Sequence, residues 1–230
     1  MKIVHYVNQF FAGMGGEDSA GTGPELRDGA VGPGRKLASL LGDEHEIVAT
    51  AVCGDDYAAS HPEFAAELIA GARQRGAEMV IAGPAFTSGR YGMACARIAA
   101  AASEAGLPAL AAMHPENPGL GEASGTAVVQ SGQTARRMKD SLERFAAATL
   151  KIAGGEELTA QDGRIGPVAR TNRLAENSAA EPREHEGDGA LGRAVLRQAV
   201  GACDRADTTV LGGQFLASGG LQRRRGEALE

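Results

Sequence analysis

Short apolar segments with strand character alternate with helix-like segments through the first 150 residues of this chain. Strands are indicated at 3–6, 46–52, 79–82, 107–112 and 126–130, and helices at 35–41, 62–75, 91–105 and 134–150. Such a repeat is typical of parallel strands joined by helices that cross over the sheet. We therefore expect an α/β fold, a three-layer sandwich with a mostly parallel sheet, over residues 1–153.

Polar or glycine-containing segments follow every predicted strand. In chain order they are Asn8-Gln9, Cys53-Gly54-Asp55-Asp56, Gly83-Pro84-Ala85-Phe86, His114-Pro115-Glu116-Asn117 and Ser131-Gly132-Gln133. In open parallel sheets, ligands bind in a crevice at the carboxyl ends of the strands. The placement of these segments predicts one shared crevice at that edge.

The segment 7–33, between the first strand and the first helix, is long, rich in glycine and poor in apolar residues. A compact domain rarely keeps such a loop unless the loop binds or catalyses something. Glycines also let a backbone approach a ligand closely. We expect this loop over the carboxyl edge of the sheet; the alternative is a tolerated surface insertion.

Charge and cysteine usage exclude several classes of protein. The net charge is −6, so the chain lacks the positive field that nucleic-acid binding requires. No run approaches the length of a membrane span, and no secretory signal is present. Three widely spaced cysteines indicate reduced thiols in a cytoplasm and do not fit a metal site.

The composition changes towards the carboxyl terminus. Residues 154–180 are predicted to form a polar linker, and residues 181–230 a divergent, poorly structured tail. This tail contains no Lys, Ile, Met, Tyr or Asn. It is interpreted as disordered; the alternative is an out-of-frame translation caused by a frameshift.

Eight side chains are predicted to line the crevice. His114, Glu116 and Glu17 are the candidates for proton handling, and Asn8, Gln9, Cys53, Arg90 and Tyr91 for substrate binding. Arg90 heads a predicted helix, where a guanidinium can clamp a carboxylate. Three of them have a simpler alternative: a buried apolar role for Cys53, backbone hydrogen bonding for His114, and helix capping around Arg90.

Four long segments carry a resemblance to a known family. They are His5–Glu17, Ile47–Tyr57, Ile81–Cys95 and Met113–Gly119, in this order. Together they resemble the amino-terminal part of the selenoprotein B subunit of the glycine, sarcosine and betaine reductases. The resemblance covers residues 1 to about 180.

The resemblance implies a component B subunit that takes part in reductive C–N cleavage of glycine or its N-methyl derivatives. A partner subunit cleaved from a proprotein contributes a pyruvoyl group. The two-carbon unit passes to selenoprotein A, protein C releases acetyl phosphate, and the thioredoxin system supplies electrons. The resemblance thus implies a cytoplasmic complex.

One departure from the family weighs on activity. The family carries its selenocysteine in a UxxCxxC-type motif in the second half of a longer chain, and no such motif occurs here. We therefore expect a chain truncated before the selenocysteine motif, with no cofactor of its own and inactive alone. The alternative is a non-catalytic small-molecule-binding or assembly module derived from that subunit.

Overall fold

A computed structural model of the chain describes residues 1–123 and 125–166. The predicted tail 181–230 and the larger part of the predicted linker lie outside these residues. Residues 154–166 are described: they include a short 3₁₀ helix, Ala160–Asp162, and an antiparallel bridge between Val129 and Arg164.

Six strands form one mixed sheet. They are β1 (Lys2–Asn8), β2 (Glu25–Asp28), β3 (Glu46–Cys53), β4 (Met79–Ala82), β5 (Ala109–Met113) and β6 (Ala127–Gln130). The order across the sheet is β2-β3-β1-β4-β5-β6. Every neighbouring pair is parallel except β2 and β3, which are antiparallel.

The described residues contain five α-helices. They are α1 (Gly34–Leu41), α2 (Asp55–Ser60), α3 (Phe64–Gln74), α4 (Gly89–Glu104) and α5 (Met138–Ala153). Four of them, all but α2, pack on the two faces of the sheet. On one face, Leu37 of α1 and Phe145 of α5 are fully buried in a shared apolar cluster. On the other, Phe64 of α3 and Ile98 of α4 belong to a second cluster. The predicted three-layer α/β sandwich is confirmed.

The strand β2 corrects the expectation of a single irregular loop over residues 7–33. Glu25–Asp28 pairs with the carboxyl half of β3, so the loop returns to the sheet before α1. β2 lies at the edge of the sheet, where only one side of its backbone needs a partner. Its sequence, Glu-Leu-Arg-Asp, lacks the apolar alternation that identifies a half-buried strand.

The order of the strands indicates where a ligand binds. Five of the strands are parallel, and their order across the sheet is β3-β1-β4-β5-β6. In this doubly wound arrangement, the order in which the chain adds strands to the sheet reverses between β1 and β4. Segments leaving β1 and β4 turn to opposite faces and open a crevice between them. In such folds this switch point is the expected ligand site.

None of the helices within the two described ranges is long and apolar enough to cross a membrane.

A candidate ligand site at the carboxyl edge of the sheet

A cavity of about 480 Å³ opens at the switch point. Its volume lies within the range of about 300–1,000 Å³ common for small-molecule sites. Its lining comes from the segments that follow β1, β3, β4 and β6: Asn8, Gln9, Phe10, Phe11, Gly16, Glu17, Asp55, Ala85, Phe86, Thr87, Ser88, Arg90, Tyr91, Gln133, Thr134 and Ala135. The predicted convergence of these segments on one crevice is therefore seen for four of the five.

The glycine-rich loop is held against the start of α2 by backbone hydrogen bonds. The Gly54 N–H donates to Thr22 O at 2.8 Å, and the Asp56 N–H donates to Ala20 O at 2.9 Å. A Cβ added to Gly54 would overlap Ala20 O and lie 2.6 Å from the carbonyl carbon of Ala20. The loop backbone and the start of α2 thus pass very close to each other at Gly54. The loop can lie there only because Gly54 has no side chain.

Asp55 is the central buried acid of the site, only 7% exposed. The Asn8 side-chain amide donates to Asp55 Oδ2 at 2.9 Å, and the Asp55 N–H donates to Gln9 Oε1 at 3.0 Å. Asp55 Oδ1 has no hydrogen-bond partner among the residues that the structure describes. Burial raises the pKa of Asp55, while Asn8, Arg90 and Gln9 oppose that shift.

Arg90 joins the loop to α2 across the mouth of the cavity. Its guanidinium donates to Glu17 Oε1 at 2.5 Å and also to the Asp56 carboxylate. These two carboxylates raise the pKa of Arg90, which stays charged. The Arg90 side chain remains 39% exposed, so a ligand carboxylate can still reach it.

Phe86 has an unusual backbone. Its φ of 53° is the one positive value for a non-glycine residue within the described ranges. A bulky residue in this region is strained by about 1–3 kcal/mol, and such strain is often found at functional sites. The Phe86 carbonyl accepts hydrogen bonds from the His114 N–H at 2.9 Å and the Asn117 side-chain amide at 2.8 Å. These bonds hold the Phe86 ring at the cavity.

Five of the eight predicted site residues line the cavity: Asn8, Gln9, Glu17, Arg90 and Tyr91. Asn8 and Gln9 use their side chains to hold Asp55, and Tyr91 is fully buried.

The other three, Cys53, His114 and Glu116, are absent from the lining. The segment of His114 and Glu116 is hydrogen-bonded to the Phe86 carbonyl through the His114 N–H, and Glu116 is exposed. His114 Nδ1 accepts the Glu116 N–H at 3.2 Å.

Cys53 is fully buried at the end of β3, with its thiol 3.8 Å from Thr22 O. Burial, aided by the nearby Asp55 carboxylate, raises the pKa of Cys53 to about 12. Burial also raises the pKa of Cys95, which lies in α4. Because the thiolate is the nucleophile, neither thiol is set up to react at neutral pH.

The predictions missed Asp55 and three aromatic side chains, Phe10, Phe11 and Phe86. Asp55 adjoins the predicted Cys53, but the sequence does not show which side chain faces inward after a turn. A signal for the aromatic residues was present. The chain has six phenylalanines, three tyrosines and no tryptophan, and three of these rings lie in segments that follow predicted strands.

No group of three or more His, Cys, Asp and Glu side chains is placed to hold a metal ion within residues 1–123 and 125–166.

A family model described as glycine/sarcosine/betaine reductase selenoprotein B matches residues 1–184 of this chain. The matched segment contains every residue that lines the cavity.

Three curated relatives illustrate the similarity. The glycine reductase complex component B subunit gamma of Symbiobacterium thermophilum is 47% identical over 160 residues, covering 68% of this chain and 37% of that protein. The sarcosine reductase complex component B subunit beta of Peptoclostridium acidaminophilum is 43% identical, covering 68% and 36%. The betaine reductase complex component B subunit beta of the same organism is 35% identical, covering 70% and 37%.

The matched part thus spans well under half the length of these relatives. No solved structure matches the chain.

Proposed function

Because the chain belongs to the glycine/sarcosine/betaine reductase selenoprotein B family, we propose that its α/β domain forms part of the substrate site of a component B subunit. The substrate is glycine or one of its N-methyl derivatives. The observation that carries this proposal is the cavity of about 480 Å³ at the switch point. Its size suits a small ligand and leaves room for a group from a partner chain.

In this proposal the ligand carboxylate binds Arg90, which has an exposed guanidinium at the mouth of the cavity. Glu17 lies on the loop beside it and is the candidate for proton exchange from that side. His114 and Glu116 remain candidates for proton handling only where their segment moves, because neither residue lines the cavity.

The redox chemistry comes from groups outside the described residues. By analogy with the family, a selenol would supply the reducing power for C–N cleavage, and a partner subunit would contribute a pyruvoyl group. Cys53 and Cys95 do not fit the selenol's role, since both are buried and their pKa values are raised. We propose the pyruvoyl-containing subunits, selenoprotein A, protein C and the thioredoxin system as the partners of a cytoplasmic complex.

The purified 230-residue chain is expected to bind at least one of glycine, sarcosine and betaine but to reduce none of them. Calorimetric titration measures the binding, and acetyl phosphate formation with the partner components measures the reaction. Acetyl phosphate formed with this chain as the sole B subunit of its type would contradict the assignment of the redox chemistry. A lack of binding by all three ligands would contradict the assignment of the site.

A second candidate function is a non-catalytic binding or assembly module derived from the same subunit. The buried thiols with raised pKa favour it, because the described residues offer no reactive sulfur. The downstream DNA separates the two candidates. An in-frame UGA codon flanked by cysteine codons supports the catalytic subunit. A resequenced locus that keeps the reading frame through Glu230 and has no such continuation supports the module.

Replacing Arg90 with alanine in a full-length homologous subunit is expected to weaken substrate use by about 1.5–3 kcal/mol, the range for a hydrogen bond to a charged group. Steady-state kinetics measures the effect as kcat/KM. The matched control is Arg73→Ala, which removes an exposed arginine from the last turn of α3. Equal kinetics in the two variants would rule out Arg90 as the carboxylate clamp.

A further inference from the structure

Aromatic side chains are concentrated at the cavity. The whole chain has six phenylalanines and three tyrosines, and four of them, Phe10, Phe11, Phe86 and Tyr91, line this one cavity. The ring of Phe11 lies 5.3 Å from that of Phe10, 6.0 Å from that of Phe86 and 5.7 Å from that of Tyr91, centroid to centroid. These rings form a continuous aromatic wall around Phe11.

Two buried polar groups at this wall lack partners. Asp55 and Tyr91 are both lining residues, and two of their buried atoms, Asp55 Oδ1 and the Tyr91 hydroxyl oxygen, have no hydrogen-bond partner among the described residues. A buried carboxylate oxygen without a donor costs free energy in the free protein. The raised pKa of Asp55 has the same physical cause, since burial disfavours the charged carboxylate. A positive charge in the cavity would offset this cost.

We propose that the cavity binds an alkylated ammonium group, with Asp55 as its counter-ion and the rings of Phe11 and Phe86, backed by the buried Tyr91, as its walls. This inference rests on the proposed function and adds the orientation of the ligand. The ammonium end lies inward, towards Asp55, and the carboxylate end lies outward, towards Arg90. Asp55 and the aromatic wall then determine specificity within the substrate class, favouring ligands with N-methyl groups.

The physical argument favours an alkylated cation over the other ligand classes. An anionic group at the inner end of the cavity would meet the carboxylate of Asp55. A neutral apolar ligand would leave Asp55 without compensation. Aromatic faces attract cations, and a quaternary ammonium loses little hydration when it leaves water. The aromatic wall and the buried acid therefore recognise the same group by two independent means.

The test compares two ligands that differ only in charge. Betaine and the carboxylate of tert-butylacetic acid have the same shape and the same carboxylate, but only betaine carries a quaternary nitrogen. Calorimetric titration of the 230-residue chain is expected to show betaine binding at least about tenfold more tightly than its carbon isostere. Glycine is expected to bind more weakly than betaine.

Two variants identify the residues responsible. Asp55→Asn keeps the shape of the side chain and an acceptor for the Asn8 amide, and it is expected to abolish the preference for betaine over the isostere. Phe11→Leu is expected to weaken betaine binding severalfold and to leave the isostere nearly unchanged. The control is Asp43→Asn, which removes an exposed carboxylate from the turn between α1 and β3. It is expected to keep the full preference.

The outcomes separate this inference from the proposed function. Equal affinities for betaine and the isostere in the unaltered chain, or glycine binding as tightly as betaine, would overturn the ammonium site while leaving the carboxylate site at Arg90 in place. A preference for betaine that survives in Asp55→Asn would overturn the role of Asp55. Absence of binding by every ligand would instead remove the proposed function itself.

Discussion

Replacing Gly54 with alanine is expected to destabilise the domain by about 3 kcal/mol and to weaken ligand binding at the same time. The new Cβ would lie 2.6 Å from the carbonyl carbon of Ala20 and 2.8 Å from Thr22 N, and backbone atoms cannot move aside as a flexible side chain can. Overpacking of this kind costs about 1–3 kcal/mol. The hydrogen bonds from Gly54 and Asp56 to the loop are expected to be lost as well, each worth about 1 kcal/mol.

Urea denaturation followed by circular dichroism measures this effect. Gly21→Ala is the matched control, because it lies in the same loop and a Cβ there has no atom within 4 Å. Its expected change is within about 0.5 kcal/mol. Equal stability of the two variants would show that the loop does not depend on its close approach to Gly54. Lost stability with unchanged ligand affinity would show that the loop does not shape the site.

The free energy of unfolding is expected to rise by about 3 kcal/mol between pH 4 and pH 6.5 because of one buried histidine. His5 Nε2 donates to Gly83 O at 2.6 Å, whereas Nδ1 has no partner among the described residues. Burial lowers the pKa of His5 to about 4. The unfolded chain binds a proton at His5 near pH 6.5, whereas the folded chain binds it only near pH 4. The contribution of His5 to stability is therefore complete above pH 6.5 and is lost as the pH falls towards 4.

Denaturation at a series of pH values in the unaltered chain and in His5→Gln measures this contribution. Glutamine keeps a donor for Gly83 but does not titrate, so the pH dependence of the variant is expected to be flatter over this range. The raised pKa of Asp55 acts in the opposite direction, and the difference between the two curves removes it. The control is His61→Gln, at a partly exposed position. Parallel curves for His5→Gln and the unaltered chain would contradict the prediction.

The parallel strands could be predicted because each is a short apolar run, and all but the first have glycine or proline close to an end. The Met79–Ala82 strand is fully buried and ends at Gly83-Pro84, so both its character and its end are visible in the sequence. The helix predicted over 62–75 begins at Phe64, and a separate helix, Asp55–Ser60, precedes it. Six residues are too few for an amphipathic period to be recognised, so α2 was missed.

The candidate site was predicted more coarsely than the fold. Order along the chain shows which segments reach the carboxyl edge, and Asn8, Gln9 and Arg90 do line the cavity there. It does not show which of these segments line the cavity. The His114 segment reaches the same edge but does not line the cavity, and it is bound to the loop containing Phe86 through the Phe86 carbonyl. That arrangement depends on tertiary hydrogen bonds between segments far apart in sequence.

The double ion pair of Arg90 links ligand exchange to the position of the glycine-rich loop. The Arg90 guanidinium donates hydrogen bonds to Glu17 on the loop and to the Asp56 carboxylate on α2. A ligand carboxylate that binds Arg90 therefore competes with at least one of these two carboxylates. Ligand affinity then includes the work of releasing that partner, and the ligand shifts the population of loop conformations by the same free energy. Because exposed ion pairs weaken in salt, ionic strength becomes a means of adjusting how readily the site exchanges its contents.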